Sequence, residues 1–205
     1  MTINVLPIKP EESHPWILQK HYSKRLPNIM FAFGLFKKMQ LVGVVTYGMP
    51  ASRSLVIGLC GEEYADFVIE LNRLCLQNND KNEASFLVGN SLKMLPKPKI
   101  VVSYADAGQG HVGYVYQATN FLFTGTTKER TDMFAGEGKH SRHAKDPSIR
   151  QFRSAKHRYV FFCGTKTDKK LLQRKLKYGV KPYPKGETRT YDAGGQVLTQ
   201  NLLFA

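Results

Sequence analysis

Residues 66–76 read DFVIELNRLCL. A run this rich in Val, Ile, Leu and Phe, without glycine or proline, has the composition of a β-strand. In a regular strand Val68, Glu70, Asn72, Leu74 and Leu76 lie on one face, and Phe67, Ile69, Leu71, Arg73 and Cys75 on the other. Both faces are mostly apolar, so the strand is expected at the centre of a sheet covered on both sides. Glu70 and Arg73 interrupt that setting, and buried charges are costly unless they are paired or open onto a cleft. Their i, i+3 spacing puts them on opposite faces of a regular strand, so a direct pair is not expected.

Working outward towards the N-terminus, MFAFGLF (30–36) and LVGVVTY (41–47) are β-type runs separated by the polar KKMQ, the pattern of an antiparallel hairpin. Residues 3–6 alternate as a first strand. A helix then starts at Ser13, with Pro15 and Trp16 in its first turn, and ends near His21-Tyr22-Ser23. Residues 54–60 read as a short strand extension beyond Gly48-Met49-Pro50. Towards the C-terminus, EASFLVGNSLKML (83–95) has helical spacing and stops at Pro96 and Pro98; IVVSY (100–104) is a strand, ADAGQG a loop, and residues 111–119 a helix. Asn120 sits where a left-handed cap is expected, before the strand FLFTG (121–125). Residues 126–156 are polar, basic and too long for an ordinary loop, so they are expected to be functional or mobile. HRYVFFCG (157–164) returns to the sheet, and a basic helix, DKKLLQRKLKYG (168–179), leads to a C-terminal tail. The fold class is α/β: a mixed, mostly antiparallel central sheet flanked by helices, not a doubly wound repeat. One domain is expected over 1–205, with a basic insertion at about 126–156 and a C-terminal extension at about 165–205.

Composition narrows the function. With 42% hydrophobic and 11% aromatic residues among 205, the chain can bury a core and is not a disordered tail. No apolar run is long enough to span a membrane, and the N-terminus MTINVLPIKPEES has no secretory pattern. Cys60, Cys75 and Cys163 are odd in number and lack metal-ligand spacing, which fits a reducing cytoplasm without disulfides. The net charge is +14, distributed unevenly: residues 121–205 carry 18 basic against 7 acidic side chains, residues 1–120 only 12 against 9. Such an excess attracts polyanions, and counterion release drives their association, so nucleic acid is the leading partner class. A solvated basic face is the alternative.

The element order resembles the GNAT acyltransferase fold, in which the central strand and the next splay apart and the pantetheine arm of coenzyme A enters the gap. HYS at 21–23, ELNRL at 70–74 and SYADAGQGHVGYVYQATNFLFTG at 103–125, with the later HRYVFF and KYGVKPYPKG, together resemble the Mom family over most of residues 15–186. That resemblance implies an enzyme that adds a carbamoylmethyl group to adenine N6 in phage DNA, in the host cytoplasm, and so shields the DNA from restriction nucleases. It implies a reactive centre of His21, Tyr22, Arg73, Ser103, Asp106 and Tyr116. The fold implies acetyl-CoA as cofactor, with Leu74, Leu76, Ala84, Ser85 and Asn120 as its binding residues. The usual glycine-rich diphosphate turn is missing, however: the matching stretch is QNNDKNEAS, where Asp80 and Glu83 add negative charge. An acetyl group also lacks the amide nitrogen of carbamoylmethyl, so another donor or a further step is required.

Each site residue has a plainer reading. Tyr116, in a YxxxxF spacing with Phe121, resembles the acyltransferase tyrosine that protonates a departing thiolate; otherwise it is a core tyrosine. Asp106, at the carboxyl end of a strand where ligands bind in α/β sheets, can take a proton from an adenine amino group or cap the helix near His111. Ser103 is a hydrogen-bond donor; no histidine near it in sequence makes it a nucleophile. His21 either interacts with helix C-terminal carbonyls or, with Tyr22, faces the target base as general base or metal ligand. Iron or another metal stays open, with His21, Tyr22, Asp106 and His111 as donors, although no HxH, CxxC or HExxH spacing is present.

Double-stranded DNA is the expected partner, without a membrane, and a homodimer stays open. Lys139, Arg142, Arg150, Arg153, Lys156 and Arg158 are the expected phosphate contacts. Phe134, Phe152 and Tyr159 are available for wedging or stacking, and Tyr22 and Tyr47 for stacking on an extruded adenine. Two other functions fit the same residues: an acetyl-CoA-dependent N-acetyltransferase, and a non-catalytic DNA-binding module.

Overall fold

The computed structural model describes residues 2–136, 139 and 143–186, and the backbone of 202–204. The two early apolar runs pair as the expected hairpin, β2 (Phe31–Lys37) with β3 (Gln40–Gly48), and β1 (Ile3–Ile8) adds to the outer edge of β2. The DFVIELNRLCL stretch supplies β4 (Val68–Leu76), which pairs antiparallel with β3 and parallel with β5 (Lys99–Asp106). With β6 (Leu122–Thr126) and β9 (Lys156–Cys163), seven strands run in the order β1-β2-β3-β4-β5-β9-β6, so β4 is the central one. The parallel pair requires a crossover, which α3 (Glu83–Met94) makes.

Helices cover both faces. Leu87, Val88 and Leu92 of α3 and Tyr116 of α4 (Tyr114–Ala118) pack with Leu35, Val45, Tyr47, Ile69, Leu71 and Val101. On the other face, Val56 and Leu59 of α2 (Arg53–Cys60) and Leu172 of α5 (Lys166–Lys175) pack with Val68, Ile100, Val102 and Val160. The first helix, α1 (Pro10–Gln19), starts three residues before the expected Ser13 and holds Pro15 in its interior.

Two features of β4 position the site. Its ladder to β5 covers only Val68–Leu71 against Ile100–Ser103. Beyond that, β4 stays with β3 as far as Leu76 while β5 stays with β9 as far as Asp106, so the strands diverge into a gap. The second feature is a bulge. Tyr47 faces Leu71 and Thr46 faces Arg73, leaving Asn72 as the extra residue. One inserted residue reverses side-chain alternation: Ile69 and Leu71 share a core layer with Leu74 and Leu76. Glu70 and Arg73 therefore lie on the same face, which corrects the opposite-face expectation. Asn72 anchors the bulge by accepting from Thr46 Oγ1 at 2.6 Å and donating to the Asn28 carbonyl at 2.8 Å.

Other expectations change as well. Residues 54–60 are not a strand but α2: Ser52 caps it by accepting from the Leu55 amide, and Val56, Leu59 and Cys60 are buried at helical spacing. The helix expected at 111–119 shrinks to α4, because Gly113 enters it with φ +82°. Asn120 is left-handed, as expected, at φ 61°. The basic stretch holds two strands, β7 (Arg130–Met133) and β8 (Ile149–Arg153), which with β10 (Leu202–Phe204) form a second sheet in the order β10-β8-β7.

Candidate active site

The α1 helix ends close to where it is expected, at Gln19, with the Lys20 and His21 amides both donating to the Trp16 carbonyl at 2.9 and 3.3 Å, and the His-Tyr-Ser sequence follows directly as a turn. His21 Nδ1 accepts from the Ser23 amide at 3.1 Å and lies 2.9 Å from the Ser23 hydroxyl. The imidazole stacks on Tyr22 at 4.4 Å between ring centroids, and Tyr22 meets His111 edge-on at 6.1 Å. Burial, then the neighbouring Arg73, His111 and Lys156, lowers the His21 pKa to about 3, so this imidazole is neutral at pH 7. Burial and the nearby Asp106 carboxylate raise the Tyr22 phenol well above its usual value.

From β4, Arg73 reaches back to the chain just after this turn: Nε and Nη2 donate to the Arg25 carbonyl at 3.2 and 2.9 Å, and Nη1 donates to the Asn72 carbonyl at 2.6 Å. Glu70 shares its field. Burial pushes the Glu70 carboxyl up to about 7, against the pull of Arg73, Lys156 and Arg25. A carboxyl titrating near neutral pH is suited to taking a proton during a reaction. In the sequence, Glu70 stands out only as a charge in an apolar strand. That oddity was the signal, and the bulge that aims it was not visible.

From β5, the Asp106 carboxylate is 3% exposed and heavily engaged. It accepts from the Gly108 amide at 3.0 Å, from the Ser154 hydroxyl, and from Lys156, with which it forms an ion pair. Burial alone would raise its pKa, but these donors outweigh burial and hold it below the ordinary value. Asp106 caps the short turn Ala107–Gln109 rather than a helix starting at His111. Its chemistry is that of a fixed anion that orients Tyr22 and Lys156. Ser103, fully buried, donates to the Leu71 carbonyl at 2.9 Å, where the two strands part. Its hydroxyl also adjoins the Tyr116 phenol, which burial raises to about 12 and so keeps protonated at neutral pH. His21, Tyr22, Arg73, Ser103, Asp106 and Tyr116 thus gather at the β4–β5 gap, together with Glu70.

The residues expected to bind the cofactor lie on β4 beyond its ladder with β5, at the start of α3 and after α4. Leu74 and Leu76 pack in the α3 core layer, Ala84 packs against it, Ser85 Oγ donates to the Asn82 carbonyl, and Asn120 is exposed after α4. The first turn of α3 does not fit a diphosphate. Glu83 is buried there at 6% exposure against Lys37, which also pairs with Asp80 at 2.8 Å, so carboxylates stand where an anion would seat. For a metal, no group of three His, Cys, Asp or Glu side chains is placed to hold one among the described residues, and the Lys156 ammonium already sits on Asp106.

Among the basic residues, Lys139 is exposed, Arg150 lies 3.4 Å from Thr131 Oγ1, and Arg153 pairs with Asp132 at 3.3 Å. Arg158 stacks over Tyr178 at 3.5 Å and donates to Thr124. Arg142 lies outside the described residues. Tyr47 and Tyr159 are fully buried, which removes both from the stacking candidates.

Comparison with known proteins places the chain in a family. A family model described as the Mom protein family matches residues 2–185. The methylcarbamoylase mom of Escherichia phage Mu is 29% identical over 195 residues, covering 82% of this chain and 78% of that protein. Among solved structures, an N-acetyltransferase from Staphylococcus aureus Mu50 aligns with a TM-score of 0.49 at 12% identity, covering 80% of this chain and 100% of its own. Arabidopsis thaliana NAA60 in complex with acetyl-CoA aligns at 0.47 and 14%, covering 78% and 98%. With a family match running from the first strand to the segment after α5, the chain is a member of the Mom protein family.

Proposed function

We propose that this protein modifies phage DNA by placing a carbamoylmethyl group on adenine N6, so that restriction nucleases no longer recognise the base edge. The phage Mu relative is named a methylcarbamoylase. The observation that carries the reading is the meeting, at one gap between diverging strands, of a carboxyl titrating near 7, a protonated phenol and a neutral His-Tyr stack. An adenine extruded from the duplex would stack on Tyr22. Glu70 takes the N6 proton as nitrogen bonds to the methylene carbon of a carbamoylmethyl donor. The bond from that carbon to the donor's leaving group breaks, and Tyr116 supplies a proton to the departing atom. Arg73, tied to the Arg25 carbonyl, keeps the His21–Ser23 turn against the strand.

Acetyl-CoA, the fold family's usual donor, suits this site poorly, because the α3 first turn meets its diphosphate with two carboxylates. The test is plasmid DNA from cells expressing the chain, challenged with restriction endonucleases whose sites contain adenine. Resistance in the wild type and full cleavage with Glu70→Gln are expected. Complete cleavage of both would overturn the proposal.

A further inference from the structure

The second sheet has an apolar face that the chemistry above does not use. In the β7–β8 ladder, Thr131 faces Phe152 and Met133 faces Arg150, while Asp132 faces Gln151 and Arg130 faces Arg153. Residues directly opposite share a face, so the ribbon has two distinct sides. One is internally satisfied: Asp132 takes ion pairs from Arg130 at 3.2 Å and Arg153 at 3.3 Å, and Gln151 is buried. The other presents Phe152 and Met133, 36% and 39% exposed, beside Arg150. Phe152 and Met133 thus leave apolar surface in contact with solvent next to a cation, on the side of the ribbon that has no ion pair of its own among the described residues.

The ribbon is also fastened to the reactive gap. Two residues after Phe152, Ser154 donates to Asp106; next, the Ala155 carbonyl accepts from the Ala107 amide at 3.0 Å, and then Lys156 pairs with Asp106. At the connector between β7 and β8, Arg25 Nη1 reaches the Lys139 carbonyl at 3.4 Å, linking it to the segment that follows His21 and Tyr22. Residues 126–158 carry nine Lys and Arg against four Asp and Glu, which complements a polyanion.

We infer that Phe152, with Met133 beside it, is the wedge that enters the base stack of duplex DNA and fills the space left by the extruded adenine. Apolar side chains inserted between base steps are a known means of distorting a duplex, and an enzyme acting on a base edge must take that base out of the stack. Arg150, on the same face, would meet the flanking phosphate. This inference rests on the adenine reading of the previous section, and its test separates the two.

Duplexes with 2-aminopurine replacing adenine in varied contexts are titrated with the full chain, which requires no donor. Wild type is expected to raise the fluorescence as the base leaves the stack; Phe152→Ala should lose the rise by roughly tenfold, with affinity changed only about threefold, and Phe152→Trp should retain it. In expressing cells, Phe152→Ala should lower the modified fraction of adenine while Phe152→Trp restores it. If wild type modifies adenine and Phe152→Ala does so equally, only the wedge falls. A wild type that modifies nothing and leaves the probe dark removes both. If Phe152→Ala instead converts a dimer to a monomer in sedimentation, the face joins two copies of the chain and the wedge is wrong.

Discussion

In the proposed reaction, Glu70 is the residue on which the chemistry turns. Its carboxyl, pushed up by burial to about 7, acts as a base only when ionised, so modification should rise with pH through about 7 and fade below it. Glu70→Gln should lower the rate by at least about a hundredfold, the low end for a general base. Stability moves the other way. A carboxyl whose folded pKa exceeds its unfolded one costs stability progressively as pH rises from its unfolded value of 4.5 through about 7. Denaturant melts should therefore show Glu70→Gln more stable than wild type at pH 8 and level with it below pH 4.5. A wild type with no such gap would remove the raised carboxyl. Tyr116→Phe keeps the ring in its buried place and should cut modification about tenfold or more while DNA affinity and melting hold. Of these residues, His21, Tyr22, Asp106 and Tyr116 were legible as a family pattern. The clamp of Ser154 and Lys156 on Asp106 was not, because its parts lie 48 and 50 residues apart in sequence.

The same limit appears in the elements. Strong apolar runs located the strands of the main sheet and the central place of β4, since periodicity and burial agree there. The bulge at Asn72 escaped because an extra residue in a ladder carries no marker without glycine, yet it decides which face Glu70 and Arg73 share. Asn72→Ala would leave the buried Thr46 hydroxyl without its acceptor, at a cost of about 1–3 kcal/mol in denaturant unfolding. An unchanged stability would mean that the bulge is held by other contacts. The sequence of α2 is ambiguous because its apolar residues suit either period, and Ser52 decides the matter as a cap. At the start of α3, the paired Glu83 and Lys37 predict that coenzyme A binds no more tightly than pantetheine in calorimetry, and that Glu83→Ala gains affinity for coenzyme A. A strong preference of the wild type for coenzyme A over pantetheine would contradict that reading.

At the scale of the molecule, the main sheet supplies the gap and the second sheet supplies a basic ribbon beside it, where composition alone suggested only a long polar insertion. Residues 177–183 tie α2 to the edge strand β6: the Lys177 amide donates to the Leu59 carbonyl at 2.8 Å, the Lys181 amide to the Phe123 carbonyl at 2.9 Å, and the Tyr183 hydroxyl to the Phe121 carbonyl at 2.8 Å. A net charge of +14, concentrated after residue 120, predicts steep salt dependence. If about six phosphates are contacted, duplex affinity should fall roughly a thousandfold between about 50 and 200 mM salt. A flat response would mean that the charge serves solubility rather than DNA. The most direct measurement is tandem mass spectrometry of nucleosides from DNA replicated in cells expressing the chain. The account predicts deoxyadenosine in which one N6 hydrogen is replaced by a carbamoylmethyl group, present with wild type and missing with Glu70→Gln. Unmodified deoxyadenosine from cells holding abundant folded wild-type protein would contradict it.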